Sequence, residues 1–327
     1  MAFPTLFIDT APEPWTGRFD GDGPGHRRWW QAVAPYGDAA PRLGGADAPD
    51  STSASGKPAV LLGFCSDEGV RRNKGRSGAA AAPAAIRKAL GPLAWHLNRS
   101  VADAGDVVVA GGALEDAQAR LGSAVTELLD AGHLTAVLGG GHETAYASYL
   151  GVSASEEVQR GKRLGVLNLD AHFDLRDEPV PSSGTPFLQM ARAEAAAGRD
   201  FRYAVIGISE ANNTRALFDT AGQLGVDYLL DEDCGPEEAR AFVASFLAGV
   251  DVLYLTIDLD VLPASVAPGV SAPAGFGVPL PVISAVCRQV AASGKLIHLD
   301  IAELNPAFDV DGRTARTAAR LLDTLLR

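Results

Sequence analysis

Cysteine is scarce and unpaired in this sequence: Cys65, Cys234 and Cys287 are the only three in 327 residues, far apart and without a C-x-x-C pair. That excludes a disulfide framework and a thiolate metal site, and the three read as reduced thiols. Basic residues are outnumbered, 28 lysines and arginines against 40 aspartates and glutamates, for a formal net charge of −12. A basic stripe able to displace counterions is therefore lacking, and nucleic acid is excluded as a general partner. A local arginine cluster can still hold a small anion. No apolar run approaches the ~20 residues that cross a bilayer, and the N-terminus lacks the basic segment and apolar core of a secretory signal. A cytoplasmic protein with no membrane partner is expected. The glycine run Gly139–Gly141 has neither the G-x-x-x-x-G-K-[ST] nor the G-x-G-x-x-G spacing, which disfavours a nucleotide.

What is present is an ordinary globular composition, 47% hydrophobic and 21% charged, in a chain long enough to bury roughly three quarters of its unfolded surface. Residues 1–57 read as an irregular N-terminal extension rich in Pro, Gly, Asp and Ala, closed by the flexible stretch Asp50–Gly56. Trp15, Trp29 and Trp30 are too many tryptophans for a free tail, so part of the extension is expected to pack on the body or on a neighbouring subunit. From residue 58 to 327 apolar runs alternate with helical stretches. Strands are expected at Ala59–Phe64, Asp106–Ala110, Leu134–Leu138, Leu164–Leu169, Tyr203–Ile208, Val226–Leu230, Val252–Ile257 and Leu296–Ile301. Helices are expected at Leu114–Ala131 and at Pro279–Ala292, whose prolines suit a first turn. Near-continuously apolar strands separated by helices imply α/β, a three-layer α/β/α arrangement around a mostly parallel sheet of about eight strands. In such sheets ligands bind beyond the carboxyl ends of the strands.

Those ends carry the chemistry. Gly139–Glu143, with His142, follows the third expected strand, and Asp170-Ala171-His172-Phe173-Asp174 follows the fourth. Asp258-Leu259-Asp260 closes the seventh, and Asp300-Ile301-Ala302-Glu303 the eighth. Three potential ligands at i, i+2 and i+4 of an extended segment share one side, as do Asp258 and Asp260. Standing alone, the latter pair would read as turn-capping aspartates; packed with the others at the mouth of a buried sheet, like charges need a compensating cation. His142, Asp170, His172, Asp174, Asp258 and Asp260 form a set rich in oxygen and free of sulfur, which suits a hard divalent ion such as Mn²⁺. Six side chains exceed what one catalytic ion with an open position needs, so two ions ~3.5–4 Å apart are expected. The loaded centre would carry a net charge of about −1 and welcome a cationic amidinium or guanidinium carbon, with Glu303 to pair its N–H groups. His298, inside the last strand, reads as a hydrogen-bonded core group, and Glu143 as a helix-start carboxylate supporting a ligand.

Together these motifs resemble the ureohydrolase family of arginase and agmatinase, with G-G-x-H at Gly139–His142, D-A-H-x-D at Asp170–Asp174 and an S-[IF]-D-x-D-like motif at Thr256–Pro263. The resemblance implies an arginase-like catalytic domain over 58–327 and two Mn²⁺ per subunit of a homo-oligomer. It also implies one ion on His142, Asp170, Asp174 and Asp258 and the other on Asp170, His172, Asp258 and Asp260, bridged by Asp170 and Asp258. Within the family the chain looks most like the formimidoylglutamase branch of histidine degradation. The resembling stretches are Ser66–Asn73, Phe173–Arg176, Ser182–Phe187 and Asn213–Phe218, with Pro268–Pro273 shared more widely. Where arginases and agmatinases place a histidine thought to shuttle protons, before Gly184, this chain has Ser183.

The implied reaction is hydrolysis of N-formimidoyl-L-glutamate to L-glutamate and formamide, by attack of a metal-bridging hydroxide on the amidine carbon. Asp174 would carry the proton to the departing nitrogen, and Glu303 would hold the tetrahedral intermediate. Such an anionic amidine needs fixed cations, and Arg71, Arg72, Arg76, Arg176 and Arg215 lie in loops that could supply them, with Ser183 and Gly184 beside the substrate. Two alternatives are a guanidino-acid or agmatine ureohydrolase releasing urea and an inactive metal-containing binding protein. Zinc deacetylases of related fold keep fewer of these ligands.

Overall fold

Runs of Leu, Val and Ile without polar alternation have to be covered on both faces, and here they are. The structure, a computed structural model, describes residues 6–37 and 56–327. Its strands are β1 (Ala34–Pro35), β2 (Ala59–Cys65), β3 (Val101–Val108), β4 (Leu134–Leu138), β5 (Leu164–Leu169), β6 (Tyr203–Ile208), β7 (Asp227–Leu230), β8 (Val252–Asp258) and β9 (Leu296–Ala302). They form a nine-stranded sheet in the order β1-β3-β2-β4-β9-β8-β5-β6-β7, and every neighbouring pair is parallel.

Successive strand residues point to opposite faces, so each strand feeds two cores. Leu61, Leu138, Leu169, Ile257 and Ile301 meet the helices Ala82–Leu90, Pro236–Ala248, Leu280–Ala292 and Arg313–Leu325 on one side. Leu62, Phe64, Val137, Val166 and Tyr254 meet Leu114–Asp130, Thr144–Ala154 and Pro186–Ala196 on the other. Fully burying each such Leu or Ile contributes about 1.5–3 kcal/mol. The three-layer arrangement expected from the sequence is therefore the one observed.

Two strands differ from expectation for local reasons. β3 begins at Val101 rather than Asp106 because its polar residues are neutralised inside the fold: Asp103 pairs with Arg87 at 2.8 Å and accepts from Trp15 Nε1 at 2.9 Å. Gly105 there adopts φ +91° and touches the Thr10 backbone so closely that a Cβ would lie 2.2 Å from its carbonyl oxygen. β1, two residues long, pairs with β3 and is too short to leave a pattern.

Residues 6–37 pack on the body. Trp29 is fully buried, stacks on Trp15 with ring centroids 6.4 Å apart, meets Trp95 edge-on at 5.1 Å, and donates to Asp323 in the helix Arg313–Leu325. Of the closing stretch Asp50–Gly56, all but Gly56 lies outside the described residues. Among the described residues no helix is long and apolar enough to cross a membrane.

β4, β9, β8 and β5 are consecutive in the middle of the sheet, although β4 and β5 are consecutive in sequence. The chain thus reverses its direction of growth between β4 and β5, which opens a crevice at their carboxyl ends.

Candidate metal centre

Strand register brings the first two carboxylates together. Leu169 of β5 lies opposite Ile257 of β8, so the residues that follow them, Asp170 and Asp258, sit on adjacent strands roughly 4.8 Å apart. Leu138 of β4 lies opposite Ile301 of β9, which sets Gly139–His142 beside Ala302 and Glu303. The other ligands arrive by turns, contrary to the extended geometry expected. β5 ends at Leu169, the chain bends through Ala171 and His172, and Asp174 takes a left-handed φ of +48°. His172 N–H donates to Asp170 Oδ1 at 2.7 Å, so the turn closes on the carboxylate itself. Likewise β8 ends at Asp258, and Asp260 lies in a 3₁₀ turn over Leu259–Val261 whose N–H donates to Asp258 Oδ1 at 2.8 Å. Tight turns started by aspartate, and not strand alternation, bring these side chains together.

The result is a convergence of six side chains. His142 Nδ1 lies 3.0 Å from Asp170 Oδ2, 3.0 Å from Asp174 Oδ2 and 3.3 Å from Asp258 Oδ2. His172 Nδ1 lies 3.0 Å from Asp260 Oδ2 and 3.5 Å from Asp170 Oδ1. Among the described residues two groups have ligand atoms within 4.8 Å of one another: His142, Asp170 and Asp258, and Asp170, His172 and Asp260. Asp170 is common to both, and Asp258 belongs to the first alone.

An imidazole nitrogen carries at most one hydrogen, so His142 Nδ1 cannot satisfy three carboxylates. The acids respond to their crowding. Burial, with Asp260 and Asp170 adding repulsion, pushes Asp258 well above the usual carboxylate range. Burial and Asp170 raise Asp174, and burial and Asp170 raise Asp260 against the pull of His172. Burial works against a charged His142, yet its contacts with Asp170 and Asp174 raise its pKa well above the ordinary value. A set of four carboxylates and two imidazoles that cannot all ionise together is the environment two divalent cations would relieve, and its oxygen-rich donors fit Mn²⁺.

Glu303 stands at the rim of this group. Its backbone is left-handed, φ +69°, and its Oε1 accepts from the His142 N–H at 2.8 Å. Burial, with Glu143 nearby, pushes its pKa up to about 8. Glu143 begins the helix Thr144–Ala154 and accepts from Ser66 Oγ at 2.5 Å and Gly69 N at 3.0 Å, which ties the glycine loop to residues 66–69. His298 contacts Thr135 Oγ1 through Nδ1 at 2.6 Å, and burial takes its pKa down to about 3.

The centre opens into a cavity of about 150 Å³ whose lining includes His142, His172, Asp174, Asp258, Asp260 and Glu303. Asn73, Arg176, Ser183, Asn212, Asn213, Leu217, Ser271 and Ala272 complete the lining. Of the five arginines considered, Arg176 alone lines it, and its guanidinium makes no hydrogen bond or ion pair among the described residues. Arg71 is paired with Glu68 at 2.7 Å, and Arg72 with Glu68 and Glu115 at 2.9 and 2.6 Å. Arg76 donates to the Ser271 and Val270 carbonyls and lies 4.0 Å from the Phe308 ring centroid. Arg215 opens the helix Arg215–Leu224, exposed and off the cavity wall. Gly184 packs against Arg176: a Cβ there would lie 2.8 Å from Arg176 Cδ and would push that side chain aside.

Asn73 and Asn213 lie in the resembling stretches, but sequence reasoning gave them no role of their own: Asn73 Nδ2 donates to Ser183 Oγ at 3.1 Å, and the Asn213 side chain holds Phe173 N and the Ala171 carbonyl. Asn168 was missed: its Nδ2 donates to Asp170 Oδ2 at 2.9 Å. An asparagine inside an otherwise apolar strand, two residues before a ligand, is the signal that would have marked it.

The arginase family model matches residues 57–327. Formimidoylglutamase of Nocardia farcinica is 58% identical over 316 residues, covering 96% of this chain and 96% of that protein. Formimidoylglutamase of Rhodococcus jostii is 54% identical over 318 residues, covering 96% and 95%. Among solved structures, Trypanosoma cruzi formiminoglutamase with Mn²⁺ superposes with a TM-score of 0.75 at 26% identity, covering 86% of this chain and 98% of that one.

Proposed function

The chain belongs to the arginase family, and on that premise we propose that it hydrolyses N-formimidoyl-L-glutamate to L-glutamate and formamide with two Mn²⁺ per subunit. One observation carries the reading beyond the similarity to formimidoylglutamases. The cavity lined by His142 and Asp258 of one ligand group and His172 and Asp260 of the other also presents a single unpaired arginine, Arg176, together with Ser183. A substrate with an amidine at one end and carboxylates at the other fits that polarity.

His142, Asp170, Asp174 and Asp258 would hold one ion, and Asp170, His172, Asp258 and Asp260 the other. Bound there, such ions supply Lewis-acid polarisation and a water acidic enough to give hydroxide near neutral pH. The protein groups do the rest. Arg176 forks onto a substrate carboxylate and fixes the distance from that end to the centre. Glu303, anchored through one oxygen by the His142 N–H, turns its other oxygen to the amidinium N–H groups as the carbon becomes tetrahedral. Asp174, 3.0 Å from His142 Nδ1 and on the cavity wall, takes the proton of the attacking water at Oδ2. It then gives that proton to the departing glutamate nitrogen. Ser183, held by Asn73, has no group that titrates near neutrality, so the histidine shuttle of guanidine hydrolases is not available here.

Cytoplasmic residence and assembly as a homo-oligomer belong to the same proposal. The first is supported by three free cysteines, whose thiols burial pushes up to about 12. The second is supported by the exposed Phe276, Phe308 and Val310. The reaction is tested by supplying N-formimidoyl-L-glutamate, agmatine, arginine and guanidinobutyrate side by side with Mn²⁺. Formamide from the first and no urea from the others is expected; urea from any guanidine at a comparable rate would overturn the assignment.

A further inference from the structure

Thr256 sits inside β8, two residues before the ligand Asp258, opposite Asp300 of β9. It is fully buried, as are Tyr254 and Asp300, while His142 is 1% exposed. His142 Nε2, the ring nitrogen turned away from the carboxylates, lies 3.0 Å from Thr256 Oγ1. Thr256 Oγ1 donates to Asp300 Oδ1 at 2.5 Å, and Tyr254 OH donates to Asp300 Oδ2 at 2.5 Å. A hydroxyl has one hydrogen. With that hydrogen given to Asp300, Thr256 Oγ1 has only lone pairs to offer His142, so the hydrogen of that contact must come from Nε2.

We propose that Asp300, through Thr256, holds a hydrogen on His142 Nε2 and so reserves Nδ1, the nitrogen that faces Asp170, Asp174 and Asp258, for the first of the two ions, making Thr256 and Asp300 positioning residues for that ion. The inference rests on the reading of this site as a metal centre. Tyr254 OH donates to the second oxygen of Asp300, with the Ala145 carbonyl 3.2 Å from the same hydroxyl. His172 has no such chain: among the described residues its ring contacts are Asp170 and Asp260, both on the Nδ1 side. The two ion positions therefore differ in how rigidly their imidazole is held, and the relay acts on one only.

The test is Mn²⁺ titration calorimetry of the full chain and its Thr256→Val and Thr256→Ser variants. Valine keeps the shape and removes the hydroxyl; serine keeps the hydroxyl. Loss of such an outer partner lowers metal affinity about 10–100-fold, so Thr256→Val is expected to weaken one of the two binding events by that factor and leave the other unchanged. Thr256→Ser is expected to return it to the wild-type value. Thr256→Ala, which removes the same hydroxyl with less bulk, is read in the same way if thermal melting shows that the valine chain does not fold. Two events at wild-type affinity without the hydroxyl, equal weakening of both, or failure of serine to restore the first would overturn the relay. A wild-type chain that binds no Mn²⁺ would instead overturn the metal centre itself.

Discussion

At the scale of single residues, the candidate ligand positions could be picked out because each is a charged or imidazole side chain at or within a few residues of the end of an apolar strand. The roles of their neighbours could not. Asn168, Thr256 and Asp300 are polar groups inside strands, and although Thr256 and Asp300 fell within the motifs read from the sequence, their hydrogen-bond partners came only with the structure. Asn73 and Asn213 lie in loops whose closure depends on tertiary contact. Two of the proposed ligating or catalytic positions, Asp174 and Glu303, also hold left-handed backbones, the kind of local strain that concentrates at functional sites. Asp174→Asn should keep part of its Mn²⁺ yet lower turnover of N-formimidoyl-L-glutamate by about 10²–10⁴-fold, the range for a lost general acid or base; formamide release with parallel metal analysis checks it. Arg176→Ala should raise KM about 10–100-fold with a smaller change in kcat, since a charge-assisted hydrogen bond contributes about 1.5–3 kcal/mol. Arg176→Lys should not restore it, because an ammonium cannot fork. Steady-state kinetics with the two variants separates these outcomes.

At the scale of elements, β4, β5 and β6 were legible to the residue, because strands buried on both faces are written as unbroken apolar runs. β3 was half hidden: Asp103 and Gly105 look like a turn until Arg87 and Trp15 neutralise the one and Thr10 crowds the other. The loops after β5 and β8 were read as extended and are turns, since an aspartate at a strand end can accept from the backbone two residues on. The tryptophans of the N-terminal segment announced packing, though not where. Trp29 connects Trp15 and Trp95 to Asp323, so Trp29→Ala should destabilise the chain by about 3–5 kcal/mol, as for other buried aromatics. Denaturant unfolding measures that loss, and Mn²⁺ stoichiometry at low denaturant should be unchanged, because these contacts lie away from the centre.

At the scale of the whole molecule, the site is the consequence of one topological event, the reversal between β4 and β5 that gathers four strand ends around a buried cluster of acids. That cluster opposes folding when it is empty of cations. The pKa of Glu303 is raised from 4.5 to about 8, so its contribution to stability is present below the ordinary value and is lost as pH rises through the raised one. Asp258, Asp174 and Asp260 are shifted in the same direction. The metal-free chain should therefore melt at progressively lower temperature from about pH 5 to about pH 8. Mn²⁺ should raise the melting temperature most at the upper end of that range, by binding the folded state alone. Thermal melting across that range with and without Mn²⁺ checks the sign; a metal-free chain that gains stability over the same interval would contradict it. What holds the molecule's chemistry together is Asp170, the carboxylate common to both ligand groups. Equilibrium dialysis of Asp170→Ala against Mn²⁺ should show that neither ion is retained where the wild-type chain holds two, whereas one ion kept at full occupancy would contradict a centre bridged by that residue.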